Sequence, residues 1–289
     1  MITEFLTSWP LFYNAYLSGW LIAILLSLLG VLVVARDQIF IGAAVSQASA
    51  LGIAVGMVVG SWMTLEEHSW WRSSVFHSLM GGVFSVLAAL ITARSGKAAG
   101  QESPEAVSGW IFLLSLSVSV LLLTHSPHGL EEVHRILTST IIGAREADVW
   151  IFLVLTLTTL LVLTLYHRQA LLIVMDPEMA RAVGVHVDRW NAAFSVWLGV
   201  TVGFSIRVSG VIYAFACLVL PALAAKHLGR EVHTLFFTAP LLACGTGVVA
   251  FVFANHYDYP PGQTATAGLC AVLLGVWILR FCRLRAARS

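Results

Sequence analysis

Met175 to Trp190 reads MDPEMARAVGVHVDRW. It is a polar, compact stretch set between long apolar runs. Asp176 has the side chain of a helix N-cap, and Pro177 fits the first helical position, where its missing N–H costs nothing. Gly184 can close the helix in a left-handed conformation. The spacing predicts a helix of about two turns, too short and too polar to enter a bilayer. A chain that builds a separate surface helix between two hydrophobic runs presents it to a partner.

Outward from this stretch the composition is that of a polytopic membrane protein. Of 289 residues, 58% are hydrophobic and 11% charged, and the mean hydropathy is +0.87. Soluble domains carry about 25% charged residues. The formal net charge of +1 argues against a nucleic-acid partner. The cysteines, Cys217, Cys244, Cys270 and Cys282, form no CxxC pair, so neither a zinc knuckle nor a disulfide framework is expected. No basic stretch precedes the first apolar run, so no cleavable signal peptide is expected.

A spanning helix needs about 20 apolar residues. Runs of that kind lie near 12–35, 39–62, 74–93, 108–124, 149–166, 191–207, 209–226, 234–254 and 264–282. The expected fold is therefore all-α, with about nine transmembrane helices in one domain over 1–289. The sixth and seventh runs are divided at Ser209-Gly210 because one helix through both would far exceed the bilayer. A weaker segment, 131–143, reads as a half-helix at the surface.

Lys and Arg set the orientation, because they accumulate on the cytoplasmic side. With the C-terminus inside, that side holds Arg36, Arg94, Lys97, Arg168, Arg181, Arg189, Lys226, Arg230, Arg280, Arg283, Arg285 and Arg288. The other keeps Arg72, Arg135, Arg145 and Arg207. The asymmetry predicts an outer N-terminus, a cytoplasmic C-terminus and a cytoplasmic Asp176 helix. No Walker A, GxSxG or HExxH sequence occurs, so the chain is not expected to hydrolyse ATP or to act as an enzyme.

Polar side chains within spans are costly and point to function. The second span carries Ser46, Gln47 and Ser49 among Gly42, Gly52, Gly56 and Gly60, small residues that let helices pack closely. Ala43 and Gln47 lie one turn apart on one face. Gln47 either hydrogen-bonds a neighbouring helix or faces a translocation path. Pro221, in the seventh span, favours a kink. His77 reads as an interfacial residue. In the outer loops, His125, His128, Glu131, Glu132 and His134 cluster within ten residues, and Glu66, Glu67 and His68 lie in another loop. Imidazole and carboxylate suit zinc and other first-row metals, which makes His125, His128, Glu132 and His134 candidate metal ligands. His256 and Asp258 lie in a third loop.

Three segments, in order, resemble the membrane permeases of zinc- and manganese-type ATP-binding cassette (ABC) importers of bacteria. The first is GAAVSQASALG from Gly42 to Gly52, similar to a GD-x-x-x-HAxLxG pattern. The second is DPEMARAVG from Asp176 to Gly184, similar to DPE-x-A-x-x-x-G, continuing through Val208-Ser209-Gly210 to Leu220-Pro221-Ala222. The third is YDYPPG from Tyr257 to Gly262, before the last span. The resemblance covers nearly the whole chain. It implies an all-helical subunit that pairs with a second permease, as homo- or heterodimer, to enclose a path. An ATPase dimer holds ATP-Mg below, an extracytoplasmic metal-binding protein delivers zinc, manganese or iron, and the assembly sits in the bacterial inner membrane among its lipids. No cofactor is expected on this chain. Asp176, Pro177, Glu178, Ala180 and Gly184 would form the ATPase-coupling segment. Ala43, Ser46, Gln47, Gly210 and Pro221 would line the path.

One departure matters. The pattern's Asp and His, one turn apart, are Ala43 and Gln47 here, and neither is a strong divalent ligand. The ligands could come from a paired permease, the ion could pass weakly coordinated, or the cargo could be a chelate or another solute. A gradient-driven secondary transporter is the alternative of another class. It needs intramembrane acids or broken helices at the midplane, and no Asp or Glu lies deep in any span.

Overall fold

The computed structural model describes residues 1–62, 74–95, 102–124, 141–229 and 231–286, and these are helical with no strand. The helices are α1 (Ile2–Ala35), α2 (Phe40–Trp62), α3 (Ser74–Arg94), α4 (Pro104–Thr124), α5 (Glu146–Leu165), α6 (His167–Met175), α7 (Pro177–Ala182), α8 (Val187–Leu228), α9 (Val232–Tyr257) and α10 (Pro261–Ala286), with a 3-10 turn at Ile141–Gly143. Eight of the described helices are long and apolar enough to cross a membrane. In hydrocarbon a backbone must satisfy its own hydrogen bonds, which a helix does internally. Buried hydroxyls do the same. Thr156 donates to the Phe152 carbonyl, Ser205 to Thr201 and Ser209 to Ser205, each one turn back.

The count of eight differs from the expected nine through α8. Its 42 residues would extend roughly 63 Å at 1.5 Å per residue, about twice the hydrocarbon thickness. Gly210 interrupts it with φ 78° and ψ 167°, outside any helical region. The divide expected at Ser209-Gly210 therefore exists as a break in one run of helix. Pro221 is buried within a helical stretch, and Gly210 is the residue with non-helical dihedrals. The break lies eleven residues before Pro221. Two further differences are local. Helix α1 begins at Ile2 rather than near residue 12, and α6 forms where a connection was expected.

The chain divides into two compact units. The first comprises Met1–Asp37, Thr140–Met175 and Ile212–Ser289. In it α1 packs on α9 and α5, and α9 on α10. Its core holds a run of aromatic rings: Tyr16 stacks on Trp20, Trp20 on Phe251, and Phe251 meets Tyr213. The Tyr213 hydroxyl is buried and donates to the Gly19 carbonyl at 3.0 Å. A buried hydrogen bond of this kind contributes about 1 kcal/mol net, and in membranes often less. Tyr213→Phe is therefore expected to lower the melting temperature slightly while leaving the amount of membrane-inserted protein unchanged. A loss of inserted protein would show that the hydroxyl has a larger role. At the end of α1, Lys226 pairs with Asp37 at 2.9 Å, and burial lowers the Arg36 guanidinium to about 10, which leaves it a cation at neutral pH.

The second unit comprises Gln38–Ser139 and Asp176–Val211. Here α2 packs on α3 and α4. The first half of α8 meets α3 through small residues. A Cβ on Gly203 would stand 2.9 Å from the Gly82 Cα, and one on Gly199 2.6 Å from the Val86 Cα. The Ser85 hydroxyl closes this seam by donating to the Gly199 carbonyl. Small residues four apart let helix backbones approach without side chains between them.

Candidate functional site

The segment from Asp176 forms as its local chemistry dictates. The Asp176 carboxylate accepts from the Glu178 N–H at 3.1 Å and the Met179 N–H at 2.9 Å, satisfying two of the donors a helix start leaves open. Pro177 occupies the first helical turn. The helix α7 has six residues, somewhat short of the expected two turns. At its other end the Gly184 N–H donates to the Arg181 carbonyl and the Val185 N–H to the Ala180 carbonyl. Gly184 has φ +85°, a left-handed backbone that costs an L-residue roughly 1–2 kcal/mol. The chain then enters α8 at Val187.

The two sides of α7 differ. Ala180 is fully buried and anchors the segment, while Met179 is 55% and Val183 60% exposed. These two apolar residues are four apart, so they share one face. Glu178 and Arg181 beside them are also exposed. The capping residues alone do not reveal this pair, although the i, i+4 spacing of Met179 and Val183 is present in the sequence.

The candidate path residues are placed as follows. On α2, Ser46 is fully buried, and Ala43 and Gln47 are each 8% exposed. Among the described residues, the Ser46 and Ser49 hydroxyl oxygens are buried without a hydrogen-bond partner. Leaving such a group unmet costs about 1–3 kcal/mol, and native structures rarely retain one without a reason. Gly210 belongs to the second unit with these residues and Pro221 to the first. Among the described residues no group of three or more His, Cys, Asp or Glu could hold a metal ion. The candidate ligands His125, His128, Glu132 and His134, like Glu66, Glu67 and His68, lie outside the described residues. His256 is engaged elsewhere, with Glu4 at 2.6 Å.

Spanning helices with a capped, exposed short helix inserted between two of them define a polytopic helical membrane protein. Residues 8–280 match the ABC 3 transport family, and the chain belongs to it, as its three resembling segments imply. It is 25% identical over 275 residues to a Treponema pallidum protein named "Probable metal transport system membrane protein", covering 94% of this chain and 97% of that one. It is 22% identical over 268 residues to the manganese import system permease protein ScaB of Streptococcus gordonii, covering 91% and 90%. The fold is that of a chain in the structure of PsaBC from Streptococcus pneumoniae in complex with Fab, with a TM-score of 0.77 at 20% identity over 96% and 95% of the two chains.

Proposed function

We propose that this chain is the membrane-spanning subunit of an ABC importer that carries a divalent metal ion into the cytoplasm. The observation that carries the reading is the helix α7, capped by Asp176 and closed at Gly184, with an exposed apolar pair and no nucleotide-binding sequence in the same chain. It needs an energy source in another subunit. In this reading an ATPase dimer holding ATP-Mg docks against Asp176–Gly184. A second permease, identical or paralogous, completes the path, and an outer metal-binding protein loads it. The bacterial inner membrane houses the assembly, with the N-terminus outside and the C-terminus inside. Closure of the ATPases pushes α7, and the helices joined to it tilt, a rigid-body switch of access.

The names of the relatives favour manganese among zinc, manganese and iron. The uncharged pair Ala43 and Gln47 favours a second cargo, a metal chelate, because such a site offers little to a bare ion. One experiment separates these. Cells expressing the chain with its ATPase and binding protein are given manganese, zinc or iron, free or chelated, and intracellular metal is measured. ATP-dependent accumulation of free metal is the expected result, and Gln47→Ala should reduce it. Accumulation only of the chelated form would select the second cargo, and no accumulation of any metal would remove the metal reading.

A further inference from the structure

A cavity of about 250 Å³ lies in the first unit, outside every residue discussed as path or coupling segment. Leu28, Leu163, Ala170, Leu171 and Phe236 form its walls, and His167 and His233 line it as well. Three features define what it can hold. The first is chemistry: all but three of its lining residues are apolar, the exceptions being Thr164 and the two histidines. Water gains little along walls that are mainly apolar. The second is depth. Helix α5 has 20 residues and extends about 30 Å, the thickness of the hydrocarbon layer. His167 lies two residues past its end, and His233 is the second residue of α9, so both imidazoles stand at the ends of their helices, where a spanning helix of this length meets the headgroups. The third is access. Leu160 and Phe237 line the cavity and are exposed, and on their helices Leu157, Leu161 and Leu241 are exposed too. The opening is thus continuous with exposed apolar surface on two spanning helices.

The geometry points to a phospholipid site in which one acyl chain fills the apolar cavity and the phosphate sits against His167 and His233. The His167 Nδ1 is engaged with the Thr164 carbonyl at 2.9 Å, which fixes the ring and turns Nε2 away from that carbonyl. The His233 ring packs against Phe237 with centroids 5.6 Å apart. An imidazole N–H is a donor suited to a phosphate oxygen. The inference rests on the membrane placement of α5 and α9 and is independent of the cargo.

The test uses the assembled transporter in nanodiscs containing phosphatidylglycerol with a photoactivatable diazirine on its acyl chain. Labelled peptides are mapped by mass spectrometry. Label is expected on residues 160–171 and 233–237 above the level on the exposed face of α10 at Leu274–Leu279. Ala170→Trp, which fills the cavity, should lower it about fivefold, the equivalent of roughly 1 kcal/mol. Diacylglycerol carrying the same diazirine lacks the phosphate and should label more weakly. The double variant His167→Gln, His233→Gln should erase that difference while keeping the membrane-inserted amount. Label no higher than on α10, or unchanged by Ala170→Trp, would overturn the acyl-chain seat. Equal labelling by the two lipids would overturn the phosphate contact. If Ala170→Trp does not insert, the labelling map of the unsubstituted transporter decides. Metal uptake measured in parallel separates failure of this site from failure of the import reading.

Discussion

Gly30→Val is expected to eliminate the folded protein. Gly30 lies on α1, and a Cβ there would stand 1.8 Å from the Leu218 carbonyl oxygen and 2.9 Å from its carbon. Carbon atoms in contact need about 3.5–4.0 Å. The obstacle is backbone, so no rotamer change relieves it, and the two helices must separate. Overpacked cores ordinarily lose about 1–3 kcal/mol. Parting α1 from the second half of α8 exceeds that range, because Leu25, Leu26, Leu29, Val31 and Leu218 around the contact are all buried and lose their packing together. Gly275→Ala serves as the control, since nothing lies within 4 Å of a Cβ at that position. Size-exclusion profiles of fluorescently tagged variants in detergent should show no monodisperse peak for Gly30→Val and a normal one for Gly275→Ala. A normal peak and melting temperature for Gly30→Val would refute the α1–α8 contact.

Gly30 also shows where sequence reasoning reaches its limit. The second span announced close packing through Gly42, Gly52, Gly56 and Gly60, because four glycines in one apolar run are a pattern. Two glycines eleven residues apart, Gly19 and Gly30, in the long run of α1 are not, and the contact of Gly30 with Leu218 joins residues far apart in the chain. The seam at Gly199 and Gly203 had the right spacing, but hydropathy alone treats glycine as part of the span. Local signals fared better. Asp176, Pro177 and Gly184 act within a few residues of themselves, so cap, first turn and left-handed close were readable in advance. Helix α6 was not. Its polar start, His167-Arg168-Gln169, resembles the exit from a span, and its apolar stretch Ala170–Val174 is too short to suggest another. The break in α8 was expected from length and lies where the divide was placed, at Gly210. A proline can be carried in a membrane helix whose neighbours satisfy the freed carbonyl, whereas Gly210 at φ 78° cannot be part of any helix.

The other large effect is expected at α7. Met179→Glu combined with Val183→Glu should abolish ATP-driven uptake while leaving the amount of inserted protein and its melting temperature unchanged. Both side chains are more than half exposed, so neither contributes much to the fold, and a carboxylate at either position meets water in the isolated chain. An exposed apolar pair on a short capped helix stabilises an assembly only when a partner covers it. Burying a methionine or valine against a partner is worth about 1.5–3 kcal/mol each, and a buried unpaired carboxylate adds a further penalty. Affinity changes tenfold per 1.4 kcal/mol, so the double variant should weaken ATPase binding by roughly a hundredfold or more. Charge reversal at Glu178 is a milder change, because an exposed ion pair contributes about 0–1 kcal/mol. Gly184→Val acts differently again. No neighbour obstructs a side chain there, and the cost is the left-handed backbone at φ +85°, which loosens the close of α7 without altering its exposed face. Pull-down of the ATPase with each variant, beside an uptake measurement, distinguishes these cases. The double variant should lose both. Gly184→Val should retain more binding than uptake, since a helix that yields at its C-terminal end transmits less of the push. Full uptake by the double variant would remove α7 as the docking element and leave the energy input of this permease to be sought elsewhere on its surface.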